Sequence, residues 1–278
     1  LIPISGALHN NMDGLKLVGT DLIVGLQGNF GSSAGVQIFD TVTGTFGNGK
    51  LLAGLPSNYI NGFASDSDVM YIATDGGIGR WSFLTSDWLN PLTTTDGLPT
   101  NIIEDLELVN NDLWIATPSG LVKMDTISNS VSTITAQNGL LGTSTWGLTS
   151  TIGTLVSPNG TVSTSEMIHV SHDGAGNERP GVSSVDATTG LVSQTHRFDQ
   201  LPSNTVTAVA SDWWGLHIAT DVGPMTHWNG LNSQFEDGAA SWQIPSWPVE
   251  RMVSNGDELL VIGNDIITVI EARTISHS

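Results

Sequence analysis

The feature that most constrains the fold of this chain is an internal repeat. Three segments align without gaps, and each runs from a Leu-Pro-[Ser/Thr]-Asn corner to an Ile-Ala-Thr triplet whose Ile lies 17 residues after the first Leu. They are LPSNYINGFASDSDVMYIATDGG from Leu55, LPTNIIEDLELVNNDLWIATPSG from Leu98 and LPSNTVTAVASDWWGLHIATDVG from Leu201. Weaker copies start near residues 8, 141 and 244, so residues 1–278 read as six units of a single domain.

Each unit contains four short segments that favour β-strands. In the third unit these are IIEDLELV, DLWIAT, GLVKMD and SVSTIT, which are rich in Val, Ile and Thr and are separated by turns containing Asn, Asp, Ser or Gly. Most unit starts lie 43 residues apart, and such a period with four strands per unit is typical of a β-propeller. The sequence therefore predicts an all-β, six-bladed propeller of four-stranded antiparallel blades, with almost no helix.

The two ends of the chain predict how the ring closes. The sixth unit offers three strands and then little else, whereas Leu1–Ser5 precede the first unit where an outermost strand precedes every other unit. We therefore expect Leu1–Ser5 to complete the last blade, because this pairs strand edges that would otherwise stay open. Seven blades are the alternative if the chain is cut from a longer ring.

Charge and composition exclude several classes of function. The chain carries 8 Lys and Arg against 27 Asp and Glu, and this acidic protein with a net charge of −19 is not expected to bind nucleic acid. No apolar run is long enough for membrane insertion, and the lack of Cys excludes a thiolate zinc site or a cysteine nucleophile. No G-x-S-x-G or H-E-x-x-H motif occurs either.

Units two, three and five resemble the two-component-regulator propeller repeat, in which a G-L-P-S-N-x-V run is followed by L-W-I-G-T-x-x-G-L. The matching segments are DVMYIATDGGIGRWS (68–82), NDLWIATPSGLVKMD (111–125) and WGLHIATDVGPMTHWN (214–229), with Ala73, Ala116 and Ala219 in place of the usual Gly. The resemblance implies an extracellular, periplasmic or cell-surface domain, often the sensing part of a membrane-bound histidine kinase. It implies no catalytic residue.

The fourth residue of each Leu-Pro-Ser-Asn corner is expected near the mouth of the central channel. Asn58, Asn101 and Asn204 occupy this position in units two, three and five, and Trp247 occupies it in unit six. Amides on one rim can hydrogen-bond a sugar or a peptide, although Asx-type bonds within each turn would also explain them. For each Asn taken singly we favour the turn.

Two units carry longer loops on the same predicted face. These are Gln27–Gly35 in unit one and His172–Gly181 in unit four, and in a six-bladed ring the two units face each other. Loops on a rigid scaffold often carry function, so we expect the pair to flank the channel mouth and to contact a carbohydrate or protein ligand. The candidate contact residues are Asn29, Phe30, His172, Asn177, Glu178 and Arg179.

Two opposed carboxylates form a second candidate site. Glu104 and Glu250 lie at the same position of units three and six, which also face each other. Such a pair can hold Ca²⁺ or Mg²⁺, or act as an acid and a base if the pKa of one were raised. A solvated channel in which Arg251 neutralises Glu250 explains the same residues, and we favour it.

The sequence favours a non-enzymatic propeller that binds a ligand or a protein and forms the extracytoplasmic recognition domain, itself monomeric, of a larger sensor, adhesin or surface protein. No cofactor is expected apart from the Ca²⁺ or Mg²⁺ that Glu104 and Glu250 would hold. One alternative is a propeller lyase or hydrolase acting on a polysaccharide or small ligand, since His172 with Arg179 loosely resembles the His and Arg that such lyases place on one face. The other is a purely structural spacer.

Overall fold

The computed structural model describes most of each repeat unit. The described residues are 2–3, 12–18, 20–26, 35–47, 50–51, 54–156, 162–172, 181–197, 201–203, 205–211, 215–222, 225–229, 234–236, 249–254, 258–263 and 266–271. In this part of the chain no helix is long and apolar enough to cross a bilayer.

The described strands form six antiparallel sheets, the blades, each of which has four positions from the channel outwards. The first strand, β1 (Ile2–Pro3), belongs to blade 6. Blade 1 contains β2 (Met12–Val18), β3 (Asp21–Leu26) and β4 (Gly35–Asp40). Its outermost position is shared by β5 (Thr45–Phe46) and β6 (Lys50–Leu51), which both pair with β4. Blade 2 contains β7 (Ile60–Ser65), β8 (Val69–Thr74), β9 (Gly77–Ser82) and β10 (Asp87–Leu92). Blade 3 contains β11 (Asp105–Val109), β12 (Asp112–Thr117), β13 (Gly120–Asp125) and β14 (Val131–Ile134).

The remaining blades follow the same order. Blade 4 contains β15 (Leu148–Val156), β16 (Val162–His172), β17 (Gly181–Asp186) and β18 (Val192–Arg197). Blade 5 contains β19 (Val206–Ser211), β20 (Gly215–Thr220), β21 (Thr226–Asn229) and β22 (Gln234–Glu236). Blade 6 contains β23 (Arg251–Ser254), β24 (Glu258–Gly263) and β25 (Ile266–Glu271), with β1 as its outermost strand.

The blades form a closed ring. Each of the innermost strands β2, β7, β11, β15, β19 and β23 contacts the next, and β23 contacts β2. The ring is completed by the predicted N-terminal strand, because Ile2 pairs with Ile267 and Pro3 with Ile266. The prediction of six blades is confirmed, and the alternative of seven is wrong.

The core is divided into six apolar clusters, one between each pair of neighbouring blades. Between blades 3 and 4, for example, Trp114 and Leu121 pack with Ile168 and Val185. Because a blade is covered on both faces, its second strand is buried on both sides. This explains why the DLWIAT segment reads as a continuous apolar run rather than an alternating one, and why Leu113–Thr117 are all buried.

The buried threonines of two Ile-Ala-Thr triplets, Thr74 and Thr117, close the turn to the third strand in the same way. The Thr117 hydroxyl donates to the carbonyl oxygen of Gly120 at 2.7 Å and accepts the N–H of Ser119 at 3.1 Å. Thr74 makes the same contact to Gly77 at 2.7 Å. The repeated Thr therefore satisfies backbone groups that a two-residue turn would leave unpaired.

Two 3₁₀ helices, Thr94–Asp96 and Ala136–Asn138, lie in the connections that lead into blades 3 and 4. After them, the N–H of Leu98 bonds to Thr93 O and the N–H of Leu140 to Thr135 O, and both Leu side chains are buried. Leu140 is therefore the structural equivalent of Leu98. The fourth repeat starts one residue before the Leu141 that we aligned.

Candidate functional site

Both long loops leave the same face of the ring. In blade 3 the turn between the second and third strands runs between the paired residues Thr117 and Gly120. The corresponding pair is His172 and Gly181 in blade 4, and Leu26 and Gly35 close the same connection in blade 1. The described residues at the ends of the two insertions thus stand at equivalent positions in opposed blades. The candidate residues of the insertions, Asn29, Phe30, Asn177, Glu178 and Arg179, lie outside the described residues.

A central cavity of about 130 Å³ lies on the ring axis and is lined by the innermost strands of all six blades. Its lining runs from residues near the long-loop face, where these strands start, to Leu17 and Ser254 near the other ends of β2 and β23. The charged residues in the lining are Lys16, Glu104, Asp105, Glu107 and Arg251. The cavity is therefore polar, although the packing between the blades is apolar.

The first level of the cavity lies at the start of the inner strands, towards the long-loop face. The backbone N–H groups of Glu104, Trp146 and Glu250 make equivalent bonds to the second strands of blades 3, 4 and 6. Trp146, which is 39% exposed, therefore stands where blade 3 has Glu104, and Gly147 stands where blade 3 has Asp105. Trp146 was not among the residues predicted from the sequence, because the fourth repeat was aligned from residue 141, one residue too late.

The second level combines two opposed charges with very small neighbours. Asp105 of blade 3 and Arg251 of blade 6 both line the cavity at this level, and Gly62 and Gly147 occupy it in blades 2 and 4. A Cβ atom on Gly62 would stand 2.5 Å from Asp105 Oδ1. The glycine therefore leaves room for the carboxylate.

The carboxylate of Asp105 holds two blades together. Its Oδ1 accepts the N–H of Leu106 at 2.8 Å, and its Oδ2 accepts the N–H of Leu148 in blade 4 at 2.8 Å. Burial in the cavity wall raises the pKa of Asp105 to about 7, since the two backbone N–H donors and Arg251 only partly offset the loss of water and the nearby Glu107 raises it further. The side chain therefore changes charge close to neutral pH.

Polar contacts between blades continue below Asp105. Lys16 Nζ lies 3.9 Å from Glu107 Oε2, which joins blade 1 to blade 3 across blade 2. The other oxygen of Glu107 accepts the hydroxyl of Ser150, and the hydroxyls of Thr149 and Ser211 lie 2.7 Å apart. These contacts fix the side chains beneath the charged second level.

Of the four residues of the predicted rim, Asn58 and Asn101 lie in the described part of the chain. Asn101 Oδ1 accepts the N–H of Thr94 at 2.8 Å, which is the turn-stabilising contact that we favoured. Asn58 is exposed, and the next residue, Tyr59, is 47% exposed. Asn204 and Trp247 lie outside the described residues.

The two glutamates predicted to hold a metal ion are placed differently. Glu104 lines the central cavity, whereas Glu250 is exposed and lies outside the lining. Within the described ranges, no group of three or more His, Cys, Asp and Glu side chains is arranged to hold a metal ion. Binding of Ca²⁺ or Mg²⁺ by this pair stays a prediction.

His172 is buried rather than exposed at the start of its loop, with 1% of its surface accessible. Its Nδ1 lies 3.1 Å from the carbonyl oxygen of Ser144, and its Nε2 lies 2.8 Å from the hydroxyl of Ser183. Since it pairs with Gly181 as Thr117 pairs with Gly120, it replaces the turn-closing threonine of the repeat. Its part in ligand binding stays a prediction, and its described contacts are structural.

Comparison with solved structures places this fold among bacterial propellers. The chain is similar to the extracellular domain of BT3049 from B. thetaiotaomicron, assigned to a hybrid two-component system, with a TM-score of 0.63 and 15% identity over 95% of this chain and 34% of that one. It is also similar to the extracellular domain of BT4673 from the same organism, assigned to a one-component system, with a TM-score of 0.62, 15% identity, and 95% and 33% coverage.

These likenesses show a common fold. The chain spans about a third of the length of the two solved domains, 34% and 33% respectively. No family profile matches the sequence, and no curated protein is significantly similar to it.

Proposed function

We propose that this chain is a non-enzymatic, ligand-binding propeller domain of an extracytoplasmic sensor or surface protein. The observation that carries the proposal is the central cavity, whose lining places charged, amide and aromatic side chains around one small space on the ring axis. Rigid scaffolds that converge a few polar groups on a concave site are typical of ligand-binding proteins. The extracellular domains that share the fold support the location.

The cavity mouth is also suited to a ligand that extends beyond the channel. Tyr59 and Ile102 follow the corner asparagines of blades 2 and 3 and are 47% and 43% exposed. In the next blade, Trp146 is 39% exposed. Three neighbouring blades therefore present apolar side chains beside polar ones. A carbohydrate or a protein segment is bound by this kind of mixed surface.

A thermal-shift screen tests the proposal. The purified domain is melted with a panel of oligosaccharides, peptides, small polar metabolites, Ca²⁺, Mg²⁺ and a chelator, because a ligand that binds only the folded state raises the melting temperature. For a ligand that extends beyond the cavity, Tyr59→Ala is expected to reduce the shift. Phe83→Ala is the matched control, since Phe83 is 46% exposed but lies in the turn after β9 on the opposite face.

Two results would contradict the proposal. One is a screen in which no compound changes the melting temperature, which would favour a spacer. The other is a ligand whose shift is reduced equally by Tyr59→Ala and Phe83→Ala, because that ligand would bind elsewhere.

A further inference from the structure

The central cavity has walls of opposite charge. Glu104 and Asp105 belong to blade 3, and Arg251 belongs to blade 6, which faces blade 3 across the six-membered ring. The remaining charged residues of the lining, Lys16 and Glu107, form an ion pair with each other deeper in the channel. At its mouth the cavity is therefore negative on one side and positive on the other.

The size of the cavity limits what can occupy it. Its volume of about 130 Å³ is well below the roughly 300–1,000 Å³ of pockets that hold drug-sized ligands, but it is several times the roughly 10–15 Å³ that one water needs. The occupant must therefore have few non-hydrogen atoms. A saccharide chain or a folded peptide can touch the mouth but cannot fill the cavity.

We propose that the central cavity binds a small zwitterion of the α-amino acid class, with its ammonium group against Glu104 and Asp105 and its carboxylate against Arg251. This proposal rests on the function proposed above and names the ligand class of the same site. A guanidinium group binds a carboxylate through charge-assisted hydrogen bonds. A carboxylate next to an aromatic ring suits an ammonium ion, and Trp146 lies beside Glu104 on the cavity wall.

The second level of the channel makes this arrangement rigid. Both oxygens of Asp105 accept backbone N–H groups, one of them from blade 4, so this carboxylate is fixed in place. Gly62 of blade 2 leaves room for this carboxylate, since a Cβ atom there would stand 2.5 Å from Asp105 Oδ1. A site whose polar groups are already held in position loses little entropy when a ligand binds.

Isothermal titration calorimetry with single amino acids tests the proposal. The purified chain is titrated with a panel of L-α-amino acids, and with acetate and methylammonium as probes that carry only one of the two charges. We expect at least one amino acid to bind and each single-charge probe to bind at least tenfold more weakly. Removal of a hydrogen-bonded charge costs about tenfold or more in affinity, so Glu104→Gln and Arg251→Gln should each weaken binding by that factor.

The matched control is Glu250→Gln. This substitution changes the net charge as Glu104→Gln does. Glu250 lies next to Arg251 in the sequence, but it is exposed and does not line the cavity. This variant should bind as the wild type does. Circular dichroism melts of the three variants establish that each is folded before it is titrated.

The outcomes separate this proposal from the wider one. It is overturned if no amino acid binds, if acetate or methylammonium binds as tightly, or if Glu250→Gln weakens binding as much as Glu104→Gln. If a compound of another class binds with the Tyr59 dependence given above while no amino acid binds, this inference is wrong and the proposed function stands. If nothing binds in either experiment, both are wrong.

Discussion

The unusual carboxyl group of Asp105 predicts how the stability of the ring changes with pH. Because its pKa is about 7 in the folded protein and about 3.9 in an unfolded chain, the folded state binds more protons between these values. The stability contributed by this group is complete below about pH 4 and is lost as the pH rises through about 7. Acidification over this range should therefore strengthen the fold at this site.

The pKa difference sets the size of the effect. A shift of about 3 units corresponds to about 4 kcal/mol over the whole range. Between pH 5 and pH 8 the same relation gives a loss of about 2.5 kcal/mol in the free energy of unfolding. In a domain of this size that loss lowers the melting temperature by about 5 °C or more.

The assay compares the wild type with Asp105→Asn in urea melts at pH 5, 6, 7 and 8. Asn keeps one acceptor for the backbone N–H groups but does not titrate, so the difference in unfolding free energy between the two proteins should shrink by about 2.5 kcal/mol as the pH rises. Glu250→Gln, measured in parallel, corrects for the loss of one negative charge from an acidic protein. If the wild-type and Asp105→Asn curves stay parallel, the carboxyl group does not titrate as argued.

Three further predictions concern the repeat and the ring. Gly77→Ala should lower the urea midpoint, because φ is +121° there and the new Cβ would stand 2.5 Å from Leu92 O. Gly47→Ala should not, since its Cβ would make only an ordinary contact 3.6 Å from Ile38 O, and equal effects would contradict this. Thr117→Val removes a buried hydroxyl that closes a turn and should lower the free energy of unfolding by about 1–3 kcal/mol in the same melts. A loss no larger than that caused by Thr133→Val, at an exposed position of the outer strand, would refute this role. Removal of residues 1–5 deletes β1 and should lower the melting temperature, so an unchanged melt would mean that this strand adds no stability.

The fold was predictable because the residues that recur in each repeat are ones that pack the core or close a turn of the blade. The Ile-Ala-Thr triplet combines two residues packed between blades with a hydroxyl that closes the next turn, and these demands recur in Thr74 and Thr117. The position of the N-terminal strand was predictable because the last unit lacks a fourth strand. In the structure β1 supplies that strand, with Ile2 paired to Ile267 of β25. Local strand propensity and global closure point to the same structure.

The cavity was predicted less well, because its properties depend on register and distance. Because the fourth repeat was aligned from residue 141 rather than 140, Trp146 was not recognised as the counterpart of Glu104. His172 was expected to contact a ligand because it begins a long loop, but its register with Gly181 buries it in the place of a threonine. The contact of Asp105 with Leu148 joins two blades, and no pattern along the sequence reveals such a contact.

The pairing of Ile2 with Ile267 also governs how the chain folds during synthesis. β1 leaves the ribosome before the other strands of the ring, yet its partner β25 is the last of them to be made. Contacts between residues so distant in sequence form slowly, and until they form the outer edge of β25 can pair with another chain. Docking of β1 is therefore expected to be the rate-limiting step of folding, and the stage just before it is the one most exposed to aggregation.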